Sequence, residues 1–181
     1  MPVIISLLRG VNLAGYNQIK MDALRALYES LGFEDPQTYI QSGNVVFRTS
    51  ERNLARLARR IEDAIERHAG FRPDVVLRTC SELRDAVAKN PFAGRRDIHP
   101  SKLLVTFLAA DPAPEDRDAV LRTQTDPEEL RIVGREVYIY YANGLARPKM
   151  SWTAIAKALK TPGTGRNWNT VTKLLEMAEK L

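Results

Sequence analysis

The chain has 181 residues, 44% of them apolar and 27% charged, enough for one large domain or two small ones around a buried core. No apolar run approaches the roughly 18 residues of a membrane span, and the N-terminus lacks the basic start of a signal peptide. The single cysteine, Cys80, can form no internal disulfide, so the composition points to a soluble protein of the reducing cytoplasm.

The first strand is expected over residues 3–8, where Val3-Ile-Ile-Ser-Leu-Leu reads as apolar on both faces. It turns abruptly polar at Arg9, Gly10 and Asn12, and a loop follows to residue 19 with Gly15 and Asn17. Residues 20–31 predict a helix, with Leu24, Leu27, Tyr28 and Leu31 on one stripe and Gly32 at its end. Short strands are expected at 37–40 and 44–48, joined through Gln41-Ser42-Gly43. Ser50 is placed to cap a long amphipathic helix, 51–69, and 74–79 is a fourth strand. Ser81 then caps a helix to about residue 89, and 90–100, with Asn90-Pro91, Ala93-Gly94 and His99-Pro100, reads as a linker.

The second half starts the same order again. Strand 102–109, helix 114–122, a hairpin of strands 130–133 and 136–141 and helix 151–159 follow one another. In place of a final strand the pattern gives a loop, 160–165, and then a helix over about 167–180. The expected fold is α+β: two ferredoxin-like (βαββα) subdomains with antiparallel sheets and a C-terminal helix. The divisions are 1–79, a helix and linker at 80–100, and a degenerate second subdomain at 101–181.

That topology brings two polar segments together. Strands one and two run parallel through a right-handed crossover, and strand three returns between them. The end of strand one then lies beside the start of strand three, where the first helix also begins. Arg9, Asn12, Asn17 and Lys20 are expected to gather near Gln41, Ser42 and Asn44 as an anion site. Taken singly, these Asn, Ser and Gly residues also serve tight turns. The matching ends in the second half read Ala109-Ala-Asp-Pro112 and Val133-Gly-Arg-Glu136, so the fold itself does not require Arg-Gly-x-Asn there.

Charge marks a second segment. Residues 1–136 balance 20 basic with 20 acidic side chains, whereas 137–175 hold Arg147, Lys149, Lys157, Lys160, Arg166 and Lys173 and no acid. Trp152 and Trp168 lie there too. Such a segment can attract nucleic acid, or can simply solubilise two helices. Arg166 and Asn167 stand where the last helix begins, with Thr164 or Asn167 as its cap, and join the candidate ligand residues.

No Walker-type phosphate loop, dinucleotide fingerprint or nucleophile motif is present. His68 and His99 have no partners at zinc-ligand spacing, so neither metal nor cofactor is expected. Strand one offers no stacking aromatics for RNA, and strand three only Phe47.

Three motifs in order, Leu8-Arg-Gly-Val-Asn12 with 17–21, Tyr39-Ile-Gln-Ser-Gly-Asn-Val-Val-Phe47, and Arg166-Asn-Trp-Asn-Thr-Val171 with Lys173 and Leu174, resemble the bacterial family called domain of unknown function 1697. Arg147-Pro-Lys-Met150 is similar to the basic loop that precedes its closing motif. The resemblance implies two ferredoxin-like subdomains and brings no catalytic residues. The leading expectation is a small phosphorylated or carboxylated ligand at the polar cluster, with binding better supported than catalysis. The alternatives are nucleic-acid binding through 137–175, or a protein-interaction module using an exposed strand 136–141, whose Tyr138 and Tyr140 share a face.

Overall fold

A computed structural model describes all 181 residues. The first half contains β1 (Val3–Leu8), α1 (Met21–Ser30), β2 (Glu34–Tyr39), β3 (Asn44–Arg48), α2 (Leu54–Ala69), β4 (Val75–Thr79) and α3 (Cys80–Ala88). The second contains β5 (Leu103–Leu108), α4 (Pro114–Leu121), β6 (Glu129–Val133), β7 (Glu136–Tyr140), α5 (Trp152–Leu159), β8 (Gly163–Asn167) and α6 (Trp168–Glu179). Each half forms a four-stranded antiparallel sheet, ordered β2-β3-β1-β4 and β6-β7-β5-β8. The fold is α+β with two ferredoxin-like sheets, as the element order predicts.

Two compact units result: Met1–Arg84 with Lys173–Leu181, and Asp85–Thr172. Helix α6 begins in one and ends in the other. Its last two turns belong with the first unit, where Arg84 Nε donates to Glu179 Oε1 at 2.9 Å.

In the first unit, α1 and α2 lay Leu24, Tyr28, Leu57, Ile61 and Ile65 against Ile4, Leu8, Val45 and Phe47 of the sheet. Each such side chain contributes about 1.5–3 kcal/mol by leaving water. Tyr28 meets Phe47 edge-on with ring centroids 5.2 Å apart, and its hydroxyl is hydrogen-bonded to Ser6 Oγ at 2.8 Å. That bond satisfies the one polar group the ring carries into the core. In the second unit, Leu108, Leu130, Val137 and Ile139 pack with Val120, Ile155 and Leu159.

Four expectations are corrected. First, the second half does not lack its final strand: β8 pairs with β5 from Leu104↔Asn167 to Leu108↔Gly163. Its glycines conceal it, because a Cβ at Gly163 would stand 2.9 Å from Leu108 Cδ2 and 3.0 Å from Thr106 Cγ2. The close β5 side chains exclude the bulky residues by which a strand is recognised. Second, α2 starts at Leu54 rather than 51. Asn53, not Ser50, caps it, its side chain accepting from Arg56 N at 2.9 Å.

Third, 90–100 is pinned rather than free. Phe92 is buried, Arg95 binds Glu129 and Asp97, and the Tyr140 hydroxyl donates to Asp97 O at 2.9 Å. Fourth, the strand at 136–141 is not exposed. β7 lies between β6 and β5, Tyr138 and Tyr140 are buried, and Tyr138 donates to Ala86 O at 2.6 Å. The tyrosine face is itself covered, by α3 through Ala86 and by the 90–100 segment through Asp97.

Candidate functional site

The register of β1 and β3 sets Leu7 opposite Asn44, and Leu8 N donates to Gly43 O at 2.9 Å. The polar end of β1 therefore meets the β2–β3 turn. Gly43 makes this approach possible: its φ is +81°, and a Cβ there would lie 2.6 Å from Val11 Cγ2 and 2.9 Å from Leu8 Cβ. Only glycine suits that position.

Asn12 fastens the loop that follows. Its φ of 53° is left-handed, a conformation Asn tolerates better than most residues. Its Nδ2 donates to Ile19 O at 3.0 Å and to Gln41 O at 2.8 Å, and its Oδ1 accepts from Ile19 N at 2.8 Å. One side chain thus closes the loop and ties it to the neighbouring turn. Asn17 Nδ2 binds Gly10 O at 2.9 Å, and Asn44 Nδ2 binds Tyr39 O at 2.8 Å and Ser42 Oγ at 2.9 Å. These amides are committed to the turns themselves, to backbone carbonyls and, for Asn44, also to the Ser42 hydroxyl, in the role that turn chemistry assigns them.

A cavity of about 480 Å³ opens where the segments converge, lined by Asn12, Gln18, Ile19, Lys20, Met21, Asp22 and Gln41. That volume lies within the range of small-molecule sites. Lys20 is the N-cap residue of α1 and offers no side-chain cap, so the first amides of the helix are left to other partners. The side chains of Lys20 and Gln41 are exposed and form no hydrogen bond or ion pair within the protein.

The structure thus brings Asn12, Lys20 and Gln41 to one cavity, with Ser42 and Asn44 in the adjoining turn. Arg9 is on the same end of the sheet but pairs with Asp74, Nη1 to Oδ2 at 3.2 Å, and does not line the cavity. Arg166 and Asn167 belong to the other unit. Arg166 stands on β8 rather than at a helix start. It is buried, with Nη1 donating to Thr164 Oγ1 at 2.7 Å and Gly165 O at 2.8 Å, and burial lowers its pKa. Asn167 donates to Ser101 O and accepts from Asn169 N, capping α6 as the sequence suggests.

Sequence reasoning missed Gln18, Ile19, Met21 and Asp22 as lining residues, although they directly flank Lys20. It also missed Ile40, whose φ of 49° is unusual for a β-branched residue.

The basic segment is largely engaged. Lys149 Nζ donates to Asp126 O, Lys160 pairs with Asp116 at 2.9 Å and Lys173 with Glu176 at 3.2 Å. No group of three His, Cys, Asp or Glu residues could hold a metal ion, and no helix is long and apolar enough to cross a membrane.

The chain is thus an α+β protein built from two ferredoxin-like halves, with a polar cavity at the end of its first sheet. Residues 1–138 match the family described as protein of unknown function (DUF1697), and the chain belongs to that family. The match ends before the motifs at 147–150 and 166–174. No curated protein matches. Among solved structures, the chain is similar to conserved bacterial protein SP0830 from Streptococcus pneumoniae, with a TM-score of 0.74, 23% identity and 99% of each chain covered. At that identity the likeness speaks to the fold.

Proposed function

We propose that the cavity beside α1 binds a small organic anion, phosphorylated or carboxylated, in a cytoplasmic protein. The observation that carries this reading is the convergence of Lys20 and Gln41, two side chains without protein partners, on a cavity of about 480 Å³. Lys20 supplies charge, Gln41 supplies a donor and an acceptor, and the uncapped start of α1 adds favourable potential for an anion. Asn12 holds the walls in place. Arg9, Asn17, Ser42, Asn44, Arg166 and Asn167 then act on the scaffold rather than on the ligand.

This reading is favoured over nucleic-acid binding because four of the six cations of the 137–175 segment are engaged or buried: Lys160 with Asp116, Lys149 with Asp126 O, Lys173 with Glu176, and Arg166 in the interior. Calorimetric titration at low salt with sugar phosphates, nucleotides and carboxylates tests it. One class should bind, and Lys20→Ala should weaken that binding at least tenfold without lowering the melting temperature. A wild-type protein that binds none of them, or a Lys20→Ala protein that binds equally well, overturns it.

A further inference from the structure

We infer that the ligand of this cavity is zwitterionic and carries an apolar group: an amino acid with a hydrophobic side chain, or an amine-bearing carboxylate of that kind. The inference rests on the binding reading above and narrows it.

Charge favours a zwitterion over a phosphate. Lys20 and Asp22 both line the cavity, so their formal charges cancel. A dianion gains one attraction and suffers one repulsion there, whereas a ligand bearing both a carboxylate and an ammonium matches each side chain. Asp22 is accessible for this. Its only ion pair is with Arg25 at the long distance of 4.0 Å, and its side chain is 97% exposed.

The apolar part has a place as well. The chain exposes five large hydrophobic side chains, and three of them, Leu13, Tyr16 and Ile40, stand in the two segments that supply lining residues, without lining the cavity themselves. Leu13 follows the lining residue Asn12, and Tyr16 is bridged to Leu13. Ile40 precedes the lining residue Gln41. The Asn12–Gln41 hydrogen bond brings the two segments side by side. Scattered exposed hydrophobics need no explanation, but three carried by the segments that line one cavity offer apolar surface to a ligand held there. Ile40 is held in left-handed backbone with its side chain outward, a strain of the sort that collects at ligand sites.

Calorimetric titration of the full chain with L-phenylalanine, L-leucine, 3-phenylpropionate, phenethylamine and inorganic phosphate tests the inference. L-Phenylalanine or L-leucine should bind. Omitting the ammonium, as in 3-phenylpropionate, or the carboxylate, as in phenethylamine, should weaken binding tenfold or more. Asp22→Asn should remove the discrimination between L-phenylalanine and 3-phenylpropionate, an effect that a merely helix-stabilising Asp22 would not have. Tyr16→Ala, at an exposed tip, should weaken L-phenylalanine binding in a folded protein. Equal binding of 3-phenylpropionate and L-phenylalanine by the wild type overturns the inference, as does failure of both amino acids to bind. If phosphate alone binds, and depends on Lys20, the inference falls while the anion site stands. If no probe here or in the earlier titration binds, both fall.

Discussion

Arg78 and Arg166 occupy the same place in the two halves. Arg78 on β4 lies opposite Ile5 of β1, and Arg166 on β8 lies opposite Val105 of β5. Both side chains are buried, and each Nη1 donates to the carbonyl of the residue before it, Leu77 at 2.9 Å and Gly165 at 2.8 Å. Each is followed one residue later by a polar side chain, Thr79 or Asn167, that accepts a backbone N–H at the start of the next helix. The shared register marks these as paired structural arginines of a repeated design.

Arg78→Met and Arg166→Met should therefore each destabilise the protein, by about 2–3 kcal/mol, since each removes charged hydrogen bonds from a buried position. Urea denaturation measures both. Lysine should not restore either, because one ammonium cannot reproduce the fork of guanidinium donors. If Arg166→Met kept full stability, a ligand role for that residue would return to consideration.

At the turn, Gly43→Ala should cost about 2–4 kcal/mol, combining left-handed strain with crowding of Val11 and Leu8. The same substitution at Gly15, which has open space around it, should cost only the backbone part. Thermal unfolding of the two variants gives the comparison.

Asn12→Ala removes two donated bonds and one accepted bond from a partly buried position. A loss of about 1–3 kcal/mol is expected. The effect should be local: amide exchange should accelerate across residues 10–19 and near Gln41, while the β1 and β4 amides stay protected. Uniform acceleration over the whole first unit would show that the loop is part of the cooperative core.

Tyr28 gives the alkaline limit a definite sign. Burial raises its pKa well above the usual value of 10, with the Ser6 hydrogen bond opposing in part. The folded state thus keeps a proton that the unfolded chain releases. Its contribution is full below pH 10 and is lost as pH rises toward the folded pKa. Above pH 10 the wild type should lose about 1.4 kcal/mol per pH unit relative to Tyr28→Phe, which lacks the titrating group. Chemical denaturation at pH 9, 10 and 11 checks the slope.

Some of this was legible in the residues. The switch from Leu8 to Arg9 and the turn before Asn44 mark a strand end and a strand start, and ferredoxin-like topology makes those ends neighbours. The roles within the cluster were not legible. An Asn that latches backbone and a Lys that faces a cavity are both polar residues in a loop, and only the hydrogen bonds distinguish them. β8 was invisible for the reason that makes it fit: its glycines leave room for Leu108 and Thr106. The grouping of residues 173–181 with the first unit was also unreadable, because α6 carries one continuous apolar stripe through Trp168, Val171, Leu174 and Ala178.

That grouping affects how the molecule is made. The first unit is assembled from segments separated by the whole of Asp85–Thr172. On the ribosome, its leading 84 residues emerge early but must wait for the intervening unit to be translated before the end of α6 arrives. The early segment is therefore an unfinished template, and the two units are interleaved in time although each is compact in space. Cutting the gene after residue 84 would leave β1 to β4 without the two helical turns that their own unit includes.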